Sequence, residues 1–201
     1  MASPLLPFVT LRLLDVPMHS TKRDIAALFE LEDLKQILFI SLAEAVLPSF
    51  PPSQVATVTF ASSSRTLDKL LRGGFIPDKQ NSSHKISLGD DFYGLTPLND
   101  PVEPKDCADL IAVTGLGGHA FVSWQNAKGQ MWLRDYLPAD VPNLRVFTYG
   151  FPSTLWKTTS TATLSDHTHH FISQLRNCTS IGRVGRVSFY FNHDSMNPLT
   201  G

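Results

Sequence analysis

The chain has 201 residues, 42% hydrophobic and 17% charged, with 17 basic side chains against 18 acidic ones. This suits a folded globular chain of one large domain or two small ones and argues against disorder, and the net charge of −1 removes the general basic footprint that most nucleic-acid binders carry. No apolar run reaches the roughly 18 residues of a membrane-spanning helix, and Met1 to Pro17 lacks a charged region ahead of its apolar stretch, so the sequence reads as a cytoplasmic protein without a membrane span.

Phe8 to Leu14 alternates like a strand and Pro17 stops it; Ser20 or Thr21 then caps an amphipathic helix with Ile25, Leu28, Phe29 and Leu31 on its apolar side. Leu34 to Ala45 opens with strand-forming residues, Val55 to Phe60 alternates cleanly, Ser64 to Arg72 forms a short helix closed by Gly73-Gly74, and Lys85 to Leu88 resumes a strand. The order β-α-β-β-α-β predicts a ferredoxin-like domain over residues 1–93, a four-stranded antiparallel sheet with two helices on one face and the other face free. Residues 84–109 hold two bases against six acids, and Pro97, Pro101 and Pro104 deny the backbone regular hydrogen bonding. Residues 94–106 therefore read as a Pro/Asp-rich interdomain linker.

After it, Leu110 to Thr114 is an apolar strand running into Gly115-Leu116-Gly117-Gly118-His119, Met131 to Leu137 looks helical, Leu144 to Tyr149 is a second strand, and Thr161 to Arg176 is a longer helix. Near-continuous apolar strands suit a parallel sheet buried on both faces, so 107–180 reads as the beginning of an α/β fold and 181–201 as a divergent tail. Val184 to Phe191 alternates enough to fill the open edge of that sheet. The two cysteines, Cys107 and Cys178, offer neither a disulfide framework nor a zinc site.

The first domain resembles an RNA-recognition motif in strand order. That resemblance implies base-stacking aromatics on the first and third strands. Arg12, Val55 and Thr57 stand at those three positions instead, and Phe60 faces the helices, which leaves protein interaction through the sheet favoured over RNA binding, with the partner protein unnamed.

The second region carries the more specific signal: Asp109 to His119, then Phe121-Val122-Ser123-Trp124, Met131 to Pro138, and Arg145 to Gly150. This resembles the N-terminal half of a serine lipase- or esterase-like α/β-hydrolase of the serine-active-site-containing protein family, as found in fungal multidomain receptor-like proteins. The resemblance implies that the loop Gly115, Leu116, Gly117, Gly118 and His119 supplies an oxyanion hole, with the Leu116 N–H as donor and Trp124 lining a pocket beside it. Gly115-x-Gly117-x-x-Ala120 also satisfies the dinucleotide fingerprint, with Asp135 at the required spacing but inside the Met131–Leu137 helix, and a purely structural glycine turn is the third reading. No Gly-x-Ser-x-Gly elbow occurs, and Ser188 and Ser195 lack flanking glycines. His193, Asp194 and Ser195 are sequential, whereas a triad converges from separate loops. Asp166 and His170 share a helix face, too few for a metal site. The reading is a truncated, hydrolase-like chain without catalytic residues, cofactor or metal.

Overall fold

The computed structural model describes residues 8–46, 51–78, 84–104, 107–115, 117–152, 164–180 and 187–192. The first strand, β1 (Val9–Pro17), is followed by α1 (Lys22–Ala27), where the Thr21 hydroxyl accepts from the Asp24 N–H and the Asp24 carboxylate accepts in return from the Thr21 N–H. A second short helix, α2 (Leu31–Leu34), leads into β2 (Ile37–Glu44) and β3 (Ser53–Phe60). The Ser64 hydroxyl caps α3 (Arg65–Gly73), and Gly74, at φ 70°, ends it in the left-handed conformation that favours glycine. The chain then makes a hairpin of β4 (Phe75–Pro77) and β5 (Lys85–Gly89). These strands pair antiparallel throughout, in the order β2-β3-β1-β5-β4.

Alternation assigns the two faces of this sheet. Leu11, Leu13, Ala56, Val58, Phe60, Ile86 and Leu88 meet Ile25, Leu28, Phe29 and Leu67 of the helical layer in one core. Phe60 is fully buried there, its ring edge-on to Phe29 at 5.0 Å. The opposite face carries Thr10, Arg12, Ser41, Thr57 and Thr59, all buried.

The second layer begins sooner than the prolines suggest. β6 (Gly94–Pro97) starts within the stretch expected to be a linker; it lies at a sheet edge and pairs with one neighbour, so Pro97, at its end, is compatible with the strand. β7 (Ala108–Thr114) follows, then a single 3-10 turn (Val122–Trp124) and two four-residue helices, α4 (Trp132–Asp135) and α5 (Leu137–Asp140). Pro138 sits in the first turn of α5, and the expected Met131–Leu137 helix breaks at Tyr136. β8 (Leu144–Gly150), α6 (Leu164–Ser180) and β9 (Val187–Asn192) complete the described chain.

These strands form a four-stranded sheet in the order β6-β8-β7-β9. β8 and β9 run parallel to β7, whereas β6 is antiparallel to β8. Asp109 and Arg145 stand opposite each other on β7 and β8 and form a buried double hydrogen bond, both contacts at 2.8 Å. β9 takes up Val187 to Phe191 of the stretch that alternates in the sequence and extends one residue past it, in register from Asp109↔Val187 to Thr114↔Asn192.

The architecture corrects the expected fold class. The first sheet has five strands in place of the four of a ferredoxin-like domain, because Phe75–Pro77 pairs with β5. The second is a mixed sheet with few helices, in place of the parallel sheet of an α/β-hydrolase. The physical reason is β6: its pairing with β8 reverses direction at that edge, and only short turns and helices separate β7 from β8.

The helix-free face is not open either. From the second layer, Arg134 donates to Thr59 Oγ1 at 2.8 Å and Thr57 Oγ1 at 3.3 Å, and its guanidinium stacks over Phe39 and Phe121 at 5.2 and 5.1 Å. Arg12 reaches the other way, to the Tyr93 carbonyl at 2.7 Å and Thr96 Oγ1 at 2.9 Å. Thr10–Thr59 and Ser41–Thr57 hydroxyl pairs, at 3.0 and 2.6 Å, complete a hydrogen-bonded polar layer between the two sheets.

Candidate functional site

β7 ends at Thr114, and the glycine loop turns off its C-terminal end. Gly117 has φ 80°, which a side chain would strain, and the Gly118 N–H donates to the Gly115 carbonyl at 3.1 Å. A Cβ at Gly118 would lie 3.1 Å from the Gly115 carbonyl, the Ser123 hydroxyl and the Thr114 Cβ, so the loop packs too closely for a larger residue to enter without displacement. Leu116, whose N–H is the expected oxyanion donor, lies outside the described residues.

His119 ties this loop to the rest of the fold. Its backbone N–H donates to the Ser123 hydroxyl at 3.0 Å. Its Nδ1 accepts from the Phe121 and Val122 N–H groups, both at 3.1 Å, which places the ring proton on Nε2, 2.8 Å from the Asp90 carbonyl. Both ring nitrogens are thereby engaged, and the imidazole acts as a cap on the 3-10 turn. The Phe92 ring meets it edge-on at 5.7 Å.

Gly117, Gly118, His119 and Ala120 line one side of a cavity of about 240 Å³. Gly150 and Phe151, at the end of β8, and Asp91 and Tyr93, before β6, close it. The position is outside the carboxyl ends of adjacent parallel strands, where open sheets commonly bind ligands. Asp91 sits 3.4 Å from Arg12, so the cavity wall borders the polar layer between the sheets. Burial lowers the Arg12 pKa from its ordinary value, and Asp91 partly offsets that effect.

Trp124 is buried but does not line this cavity. It packs against Trp132 and Tyr190 at 6.4 and 5.6 Å, beside β9, and its Nε1–H finds no acceptor among the described residues. Asp135, the acid required by the dinucleotide reading, is committed elsewhere: it accepts from the Met131 N–H at 2.7 Å and from Arg134 at 2.6 and 3.0 Å. His170 lies within 3.4 Å of the Tyr149 hydroxyl and 3.1 Å of the Gln174 amide, while Gln174 Oε1 accepts from the Leu95 N–H at 2.7 Å; these contacts hold α6 to the sheet. Burial raises the Tyr149 pKa from its ordinary value. Ser188 is the second residue of β9, paired opposite Leu110 in the ladder with β7, and no glycine-flanked elbow holds it. His193, Asp194 and Ser195 lie outside the described residues, as does the side chain of Asp166.

The functionally placed residues that sequence reasoning missed are Arg134 and Asp91. A signal for the first was present: Thr57 and Thr59 alternate on β3, and a polar face on a sheet fully covered by protein needs donors from whatever covers it. Among the described residues, no helix is long and apolar enough to cross a membrane. No family model matches the chain, and no curated protein or solved structure matches it either.

Proposed function

We propose that the chain is a serine-esterase-like protein that binds a small ligand at its glycine loop without hydrolysing it. The observation that carries this reading is the stretch Gly117 to His119, which lines a cavity of about 240 Å³ beyond the end of β7, with both nitrogens of its histidine already engaged. An imidazole with both nitrogens engaged in this way caps a turn and leaves neither free to deprotonate a nucleophile. The sequence contributes the rest: a serine hydrolase needs a strained elbow, and no Gly-x-Ser-x-Gly occurs in it. The cavity is smaller than the roughly 300 Å³ at which drug-sized sites begin, which suits a short, uncharged acyl fragment. A cytoplasmic setting belongs to the same proposal and is supported by Cys107, a buried free thiol.

The alternative, a protein-interaction module working through the first sheet, has less support because Arg134 and Thr96 of the same chain occupy the face it would use.

Incubation with a fluorophosphonate probe and with p-nitrophenyl butyrate tests the proposal. The expected result is no labelling and no hydrolysis above a heat-treated control, together with saturation-transfer contacts from the ester that Gly117→Val removes. Hydrolysis abolished by a serine-directed inhibitor, or ester contacts unchanged in Gly117→Val, would overturn it.

A further inference from the structure

A larger cavity than that at the glycine loop lies elsewhere, beside β2. It measures about 490 Å³ and is bordered by Ile40 and Leu42 of β2, by Lys22 at the start of α1, by Asp100, and by Tyr136 and Pro138 from the α4–α5 corner. β2 is an edge strand of the five-stranded sheet. Its pairing with β3 determines which backbone groups face the cavity. The Ala45 N–H donates to the Ser53 carbonyl at 3.0 Å, and the register continues Ala43↔Val55 and Ser41↔Thr57, so these residues direct their backbone groups to β3. Alternation turns the N–H and C=O groups of Ile40, Leu42 and Glu44 outward. The first such donor already has an acceptor, since the Glu44 N–H bonds the Asp100 carboxylate at 2.9 Å. Asp100 there takes the place that a carbonyl of a neighbouring strand would take. Ile40 and Leu42 offer the next two donors and two acceptors.

We propose that this groove takes a single extended peptide segment, which adds to the sheet alongside β2. The occupant follows from the shape and chemistry of the groove. Unpaired ladder groups at alternate residues are complemented by extended backbone, the mode by which sheet edges capture peptides. Lys22 borders the groove from the helical layer and Tyr136 and Pro138 border it from the second layer, and a strand paired with β2 would run between them about 4.8 Å away. The buried cation within the groove, Arg134, is held by Asp135, Thr57 and Thr59, so the central residues of the segment are uncharged. Its carbonyls accept from the Ile40 and Leu42 N–H groups, and its N–H groups donate to their carbonyls.

The test uses the full chain and a fluorescein-labelled hexapeptide of alternating valine and serine, followed by polarisation and by amide hydrogen exchange. Two further peptides are N-methylated, one at every valine and one at every serine. Binding is expected, with the Ile40 and Leu42 amides exchanging freely in the unbound protein and slowing at saturation. One methylation pattern should weaken binding at least about tenfold, and the other should leave it within about threefold, because only alternate residues face β2. Leu42→Pro removes an outward donor while sparing the β2–β3 ladder and should cost a similar factor, whereas Leu42→Ala keeps the donor and should retain binding. No binding at millimolar peptide, equal losses from both methylation patterns, or slowed exchange along Val187–Asn192 in place of β2 would overturn the proposal. The peptide comparison decides even if Leu42→Pro fails to fold.

Discussion

Arg134 shows how one side chain can hold two sheets together. Its side chain is 2% exposed, and its charge is tolerated because Asp135, Thr57 and Thr59 accept its donors while Phe39 and Phe121 cover the guanidinium plane. Removing one partner of a buried pair strands the other, so Arg134→Met should lower stability by about 3–5 kcal/mol in urea denaturation. Arg134→Lys should recover less than half of that loss, since an ammonium cannot reproduce the planar fork; a Lys variant as stable as the parent would contradict this account. Asp24 gives a pH-dependent counterpart. Its hydrogen bonds to the hydroxyl and backbone N–H of Thr21 lower its pKa below the ordinary 3.8. A depressed folded-state pKa contributes stability above the unfolded value and loses it as pH falls through the folded one. Asp24→Asn should therefore be less stable than the parent at neutral pH, and the difference should close as pH falls below the ordinary carboxylate range, as thermal melts at neutral and acid pH would show.

At the scale of elements, caps and close approaches were legible in different degrees. Ser64 at the start of α3 and Gly74 at its end follow from local chemistry, and the Ser64 hydroxyl accepts from the Leu67 N–H at 3.0 Å. Ser64 also donates to Asp33 at 2.6 Å, linking α3 to α2. Ser64→Ala should thus cost about 1–2 kcal/mol, measured by denaturant midpoint, with the upper end reflecting the second bond. Gly150 answers to a tertiary demand. It ends β8 between Gly94 and Tyr93, and a Cβ there would collide with the Phe92 carbonyl and crowd the Ala120 side chain. Gly150→Ala should destabilise by about 1–3 kcal/mol through overpacking and should disturb the cavity beside the glycine loop; a neutral substitution would mean that β6 and β8 can separate more freely than their register implies.

For the whole molecule, the polar layer between the sheets makes the two halves interdependent. Residues 1–93 alone would uncover Arg12, Ser41, Thr57 and Thr59, which are buried in the full chain. All three tryptophans, Trp124, Trp132 and Trp156, lie in the second half. Tryptophan fluorescence therefore reports that half, whereas far-ultraviolet circular dichroism reports both. Their guanidinium unfolding transitions should coincide, as expected for one cooperative unit. Two separated transitions would show that the halves fold independently and that the bonds of Arg12 and Arg134 contribute little.

The amino-acid sequence by itself determined most of the local elements: the alternation of β1 and β3, the capping of α1 and α3, the apolar run of β7, and the glycine turn that follows it. Each depends on residues within a few positions of one another, where periodicity and turn chemistry act directly. Tertiary structure alone decided the hairpin strand β4, the reversed edge strand β6 and the burial of the helix-free face. β4 and β6 are three and four residues long, too short to show a period, and are strands only because β5 and β8 supply their hydrogen bonds. The same distinction separates the glycine loop from its cavity. Gly115 to His119 is contiguous, but Asp91, Tyr93, Gly150 and Phe151 reach it only after β6 and β8 have paired, because a concave site is made by residues distant in sequence whose positions are set by strand register.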